Sequence, residues 1–175
     1  MTAQKENSTR LVYMNGSYVP ETEAKISIFD SALMFGDMVF EMTRSFNKKQ
    51  FKLREHLERL YASIKYIRIP INMTIDEMEK VCHEVVEKND PIFEDDDEHR
   101  LMINVSRGPL SIYARVFGGN LEPTVVVADF PLKWTVMGIG GVMLKKMIVI
   151  FVVVLRMMEM KILMEILVKQ IVLNN

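Results

Sequence analysis

A single cysteine, Cys82, occurs in the 175 residues, so the chain has no internal disulfide framework and suits a reducing compartment. Neither charge is in excess: 22 Lys and Arg against 23 Asp and Glu leave a formal net charge of −1. That balance offers no electrostatic reason to expect nucleic acid or an anionic membrane as partner. Residues 1–10 are polar and lack the apolar stretch of a secretory signal, and the cytoplasm is the expected location. The apolar run at 147–155 falls well short of the roughly 20 residues of a membrane span. Its high β propensity, low charge and lack of proline make a strand or an aggregation-prone segment the expectation there. The three histidines, at 56, 83 and 99, have no metal-ligand spacing, and no nucleophile elbow, phosphate loop or dinucleotide fingerprint occurs.

What is present is a patterned chain as far as about residue 134. Leu11 to Met14 and Tyr18 to Pro20 alternate like two short strands, and Asn15-Gly16 between them supplies the positive φ angles of a tight hairpin. A third strand is expected at 25–28, a cap at Asp30, and a longer strand at 39–46 that turns back through Asn47-Lys48-Lys49. Leu53, Leu57, Leu60, Tyr61 and Ile64 share one face of a helix predicted over 54–66, which ends before Pro70. Thr74-Ile75-Asp76-Glu77 opens a second helix with a capping box, and Cys82 lies in its apolar stripe as a small buried hydrophobe. The acidic run Glu94-Asp95-Asp96-Asp97-Glu98 reads as a solvated loop, since unbroken carboxylates repel and calcium loops space their ligands around a glycine. Strands follow at 100–106 and 123–130, the second with the unbroken Val125-Val126-Val127-Ala128 of a strand buried on both faces. Strands, helices, then strands again predict an α+β fold with an antiparallel-rich sheet and two helices.

Four segments carry chemistry in a fixed order: Tyr13-Met14-Asn15-Gly16; Met34-Phe35-Gly36-Asp37-Met38-Val39-Phe40-Glu41; His56-Leu57-Glu58-Arg59-Leu60; and Asn104-Val105-Ser106-Arg107-Gly108. Arg59 sits beside the leucine stripe, where its stem can lie on apolar surface while its planar fork reaches outward, and such a fork suits a phosphate. Together these segments resemble the N-terminal domain of the class IV, or fold type IV, pyridoxal-phosphate aminotransferases, the group of branched-chain and D-amino acid aminotransferases and aminodeoxychorismate lyase.

The resemblance implies a small α+β domain over 1–132, followed at 133–175 by a linker and an incomplete or out-of-frame remnant of the coenzyme-binding second domain. It implies Arg59 as a ligand of the pyridoxal 5'-phosphate phosphate group, and Phe35, Phe40 and Arg107 on the substrate side. For Arg59 the plain alternative is an exposed helix arginine paired with Glu55 or Glu58; for Phe35 and Phe40 it is core packing; for Arg107 it is a structural strand-end arginine. His56 is expected to pack or cap locally. Substrates implied are a branched-chain or related amino acid and 2-oxoglutarate, in a homodimer. A non-catalytic α+β dimerisation or binding module, or an aminodeoxychorismate lyase-like enzyme, stands as the alternative.

After Thr135 the alphabet narrows: no Ser, Thr, Asp, Pro, His, Tyr or Trp follows. Folded domains are seldom so restricted. Lys161, at about the distance of the family's Schiff-base lysine, has the neighbours Met158-Glu159-Met160 and Ile162-Leu163-Met164, which do not resemble that lysine's small and polar setting. This region is expected to derive from a shifted reading frame, and the chain to be inactive or nearly so. Sequencing the gene past the Trp134 codon checks it: aminotransferase-like sequence should appear in another frame, and its absence from every frame refutes the idea.

Overall fold

The computed structural model describes residues 9–119 and 121–138, with side chains described to residue 135. The apolar run at 147–155, Lys161 and the rest of the tail lie outside the described residues. By their contacts the residues divide into two compact units, Met1–Leu132 and Lys133–Asn175.

The first unit is built on one antiparallel sheet. β1 (Leu11–Met14) and β2 (Ser17–Pro20) form the hairpin, turning on Asn15 at φ 47° and Gly16 at φ 91°. After a short helix α1 (Ser31–Phe35) come β3 (Met38–Phe46) and β4 (Lys49–Gln50), then α2 (Leu53–Ile67), α3 (Ile75–Asn89), β5 (His99–Ser106) and β6 (Thr124–Pro131). The spatial order is β2-β1-β6-β5-β3-β4. Because alternate residues face opposite sides of a sheet, Leu101, Ile103, Val105, Val125, Val127 and Tyr13 meet the leucines of α2 and Met78, Val81, Cys82 and Val85 of α3 in one core. Burial pushes the Cys82 thiol up to about 12, consistent with an inert core residue. The capping box at Thr74 and Glu77 forms as expected.

After β6 the chain enters a short helix α4 (Leu132–Gly138). Three expectations are corrected. Residues 25–28 are not a strand: Ile26 and Ile28 are exposed and no described strand lies beside them to pair with. β6 is buried on one face only, with Val125 and Val127 inside while Val126 and Ala128 are half-covered. The acidic run is not uniformly solvated. Asp97 is buried, and Glu98 accepts from the Ser45 hydroxyl and from the Asn47 and Lys48 amides at 2.7 and 3.2 Å. A carboxylate there ties down the β3–β4 turn, whose Asn47 and Lys48 both have positive φ.

Two buried polar clusters lock the layers. Asn89 at the end of α3 holds β1 with both ends of its amide, accepting from the Leu11 amide at 2.8 Å and donating to the Leu11 carbonyl at 2.9 Å. His99, fully buried, stacks on Phe93 and reaches Asp129 through Nδ1 at 2.8 Å and Asp90 through Nε2 at 3.0 Å. Burial alone would depress this imidazole, but the two carboxylates outweigh it and hold its pKa above the ordinary value. Burial pushes Asp129 upward against the pull of His99. Gly108 is constrained differently: at φ 78° a Cβ would stand 2.1 Å from the Glu122 carbonyl oxygen, so a side chain is excluded.

Because the folded pKa of His99 is raised, its contribution to stability is complete below the unfolded imidazole pKa and is lost as pH rises through the folded value. Urea unfolding followed from about pH 5 to about pH 9, across the ordinary imidazole range, should show stability falling on the alkaline side. His99→Gln should flatten that limb; an unchanged slope would refute the assignment.

Candidate functional site

β3 carries the centre of the site. Glu41 lies on the helix-facing side of the strand with its side chain 9% exposed, and such a carboxylate needs cationic partners. α2 supplies two, His56 and Arg59, three residues apart and so on one helical face. Arg59 grips Glu41 in a fork: Nε donates to Oε1, and Nη2 to Oε2 at 2.7 Å. His56 Nδ1 stands 2.8 Å from the same Oε2. The Arg59 hydrogen bond, reinforced by His56 and opposed by burial, holds the Glu41 carboxyl below its ordinary range. Arg59 itself is 68% exposed, and among the described residues Nη1 has no partner. A guanidinium clamped along one edge keeps donors on the other for an incoming oxyanion.

The alternative local pairings of Arg59 with Glu55 or Glu58 do not form. Glu58 lies 3.7 Å from Arg54, which also pairs with Asp76 and Glu79 of α3. His56 neither packs nor caps locally but orients the carboxylate. Glu41 is the group that sequence reasoning missed as functional. It stood inside the quoted motif, but its partners lie 15 and 18 residues away, beyond any local spacing rule.

Phe35 and Phe40 are 67% and 61% exposed, so neither is core. Phe35 ends α1, whose start is set by the buried Asp30 accepting from the Ala32 amide and from the Ser106 and Thr124 hydroxyls. Phe40 faces the side of the sheet opposite Glu41, its neighbour in the chain, so aromatic surface and arginine fork flank the same strand. Arg107 is held more tightly. Its Nε and Nη2 donate to Asp37 at 2.6 and 3.3 Å, and its Nη1 and Nη2 to the Arg68 and Ile67 carbonyls at 2.6 and 2.7 Å. It therefore satisfies the otherwise free carbonyls ending α2 and keeps one N–H of five uncommitted. Among the described residues the one grouping with metal-like proximity is Glu94, Asp96 and Asp97. Asp97 there accepts from the Glu94 amide in a local turn.

The pattern of the amino-transferase class IV family matches residues 38–136. A Methanocaldococcus jannaschii protein, provisionally named a branched-chain-amino-acid aminotransferase, is 36% identical over 121 residues, covering 69% of this chain and 40% of its own length. The solved branched-chain amino acid aminotransferase of Escherichia coli superposes with a TM-score of 0.59 at 27% identity, over 71% of this chain and 40% of its own. The T.th. branched-chain amino acid aminotransferase complexed with N-(5'-phosphopyridoxyl)-L-glutamate gives a TM-score of 0.58 at 30% identity, over 70% and 41%. The chain thus spans 40% of the length of the first relatives it matches.

Because the Glu41 pKa is depressed in the fold, the stability it confers is present above the ordinary carboxylate range and lost as pH falls through the folded value. Glu41→Gln should lower the urea midpoint at about neutral pH by about 0.5 M, the scale of one lost buried polar contact. The gap to the parent should close toward about pH 3. A variant equally stable at both pH values would show that the carboxylate does not organise the site.

Proposed function

The chain belongs to the class IV aminotransferases, and on that premise we propose that it serves pyridoxal-phosphate-dependent transamination, moving an amino group between a branched-chain or related amino acid and 2-oxoglutarate. The observation that carries this is the Arg59 fork, clamped on one edge by Glu41 and open on the other. The donor set fits a phosphate monoester: charged, planar and already oriented, so little side-chain entropy is lost on binding. The coenzyme, when bound, supplies the electron sink for amino-group exchange.

The protein's own groups then divide the remaining work. Arg59 holds the phosphate through its open edge, while Glu41 and His56 fix the direction of the fork. Phe35 and Phe40 form an apolar wall that excludes water beside the reacting end. Arg107 meets the substrate carboxylate with its remaining N–H while it keeps the Asp37 turn in place. The exposed Leu33, Met34 and Phe35 of α1 favour a homodimer in which such a surface is covered. The reducing character read from Cys82 supports a cytoplasmic setting. The neighbours of Lys161 supply no small, polar setting for a Schiff base, so the 175-residue chain by itself turns over little or nothing.

Titration calorimetry with pyridoxamine 5'-phosphate, which needs no Schiff base, tests the grip. Arg59→Ala should weaken binding about tenfold or more, the scale of a charge-assisted hydrogen bond. Unchanged affinity would remove Arg59 from the phosphate. Borohydride reduction with pyridoxal phosphate should fix no lysine, and labelling of Lys161 would overturn the inactivity.

A further inference from the structure

The opening hairpin joins the rest of the sheet with the help of one side chain. β1 is paired with β6 at Tyr13↔Val127 and Met14↔Val126. At the next rung the main chain has already turned, on Asn15 at φ 47° and Gly16 at φ 91°. Asn15 completes that rung by itself. Its backbone N–H donates to the Val125 carbonyl at 3.1 Å, and its side-chain Oδ1 accepts from the Val125 N–H at 2.7 Å. The side-chain carbonyl stands where a continuing strand would put its own. Asn89 of α3 anchors the far end of β1 through Leu11.

Asn15-Gly16 is also the chain's one Asn-Gly pair, and both residues are exposed. Glycine leaves its own nitrogen uncrowded, and a Cβ built at Gly16 would meet nothing within 4 Å. Among the described residues Asn15 Nδ2 makes no hydrogen bond. An open backbone nitrogen, an amide carbon beside it and a leaving group that nothing retains are what cyclisation of an asparagine requires. The closed hairpin withholds only the geometry. Its φ pair matches a type I′ turn, whose first central residue has a small positive ψ. That ψ directs the Gly16 nitrogen away from Asn15 Cγ, while Val125 keeps Oδ1 against β6.

We propose that Asn15 is a site of spontaneous covalent modification, converted through a cyclic imide to aspartate and isoaspartate, and that release of the hairpin from β6 gates the reaction. In the released turn the Gly16 nitrogen bonds to Asn15 Cγ, the Cγ–Nδ2 bond breaks, and Nδ2 departs as ammonia with the Gly16 amide proton. Water then opens the imide at either carbonyl. Opening at Cγ gives aspartate, which restores an Oδ acceptor for Val125. Opening at the backbone carbonyl gives isoaspartate, in which the main chain runs through Cβ and Cγ and the turn is longer by one carbon. The group that held Val125 is then part of the chain, so the rung does not close again. The site is separate from the Arg59 clamp and does not depend on the coenzyme.

Ageing of the full 175-residue chain at mildly alkaline pH, followed by peptide mass mapping and isoaspartate detection, tests it. Expected is slow conversion at Asn15 in the folded protein, with isoaspartate among the products, and much faster conversion in the urea-unfolded chain. Urea below the unfolding midpoint should already raise the folded rate, because local opening sets it. Asn89→Ala frees the far end of β1 and should speed conversion at Asn15 about fivefold or more, the population shift from losing one such hydrogen-bonded contact. Asn15→Asp keeps an acceptor for Val125 and should unfold later than aged, isoaspartate-containing protein. No conversion at Asn15 in the unfolded chain removes the site. Equal rates in folded and unfolded chains, or no acceleration in a folded Asn89→Ala variant, overturn the gate. Should that variant not fold, the parent decides: a rate flat in urea below the midpoint overturns the gate.

Discussion

One carboxylate sets the terms for the rest of this fold. Glu41 stands where an apolar residue of β3 would face α2, and a charge so nearly enclosed persists only with partners held in place. Arg59 and His56 meet that demand together, and in doing so they fix the rotation of α2 over the sheet. The leucine stripe tolerates small rotations, because hydrophobic contact is not directional. The forked hydrogen bonds do not. Packing therefore brings the helix down, and the ion cluster decides which way its arginine points.

The two faces of the sheet have divided roles. One is sealed by α2 and α3 and holds nearly all of the apolar interior. The other keeps Phe40, Met42, Arg44, Arg100 and Asn104 exposed or half-buried. β3 is the boundary, since successive residues alternate between the faces. A strand with Glu41 on one side and Phe40 on the other can organise a charged grip and an aromatic wall within one peptide unit. This is compact placement for a site that needs both.

Much of this was legible in the chain itself. The 3.6-residue stripe of α2, the capping box of α3 and the Asn-Gly hairpin are local signals, and they appear where they were expected. What could not be read depended on groups distant in sequence. Lys25 to Ile28 has strand-like composition, but no described strand lies beside it. Nothing local announces that Glu98 serves the β3–β4 turn, 50 residues back, or that Glu41 and not Glu58 takes Arg59. Phe35 and Phe40 were open between wall and core on pattern alone, and only the register of β3 and the end of α1 put them outside. Arg107 was open between a substrate contact and a strand-end structural role; its partners, the two carbonyls ending α2 and the Asp37 carboxylate, lie about 40 and 70 residues away in the chain.

The strand order has a kinetic side. β1, at the start of the chain, lies between β2 and β6, so its inner edge is filled only by residues 124–131. A chain emerging from the ribosome can curl its opening hairpin at once, but an isolated two-stranded hairpin is marginal in water. It must wait, unsupported, through the synthesis of α2, α3 and β5 before its neighbour arrives. Closing so long a loop makes this the slow, non-local event of assembly. During that interval the sheet's central edges are open to the wrong partner, which places the hazard of misassembly in translation and not in the finished molecule.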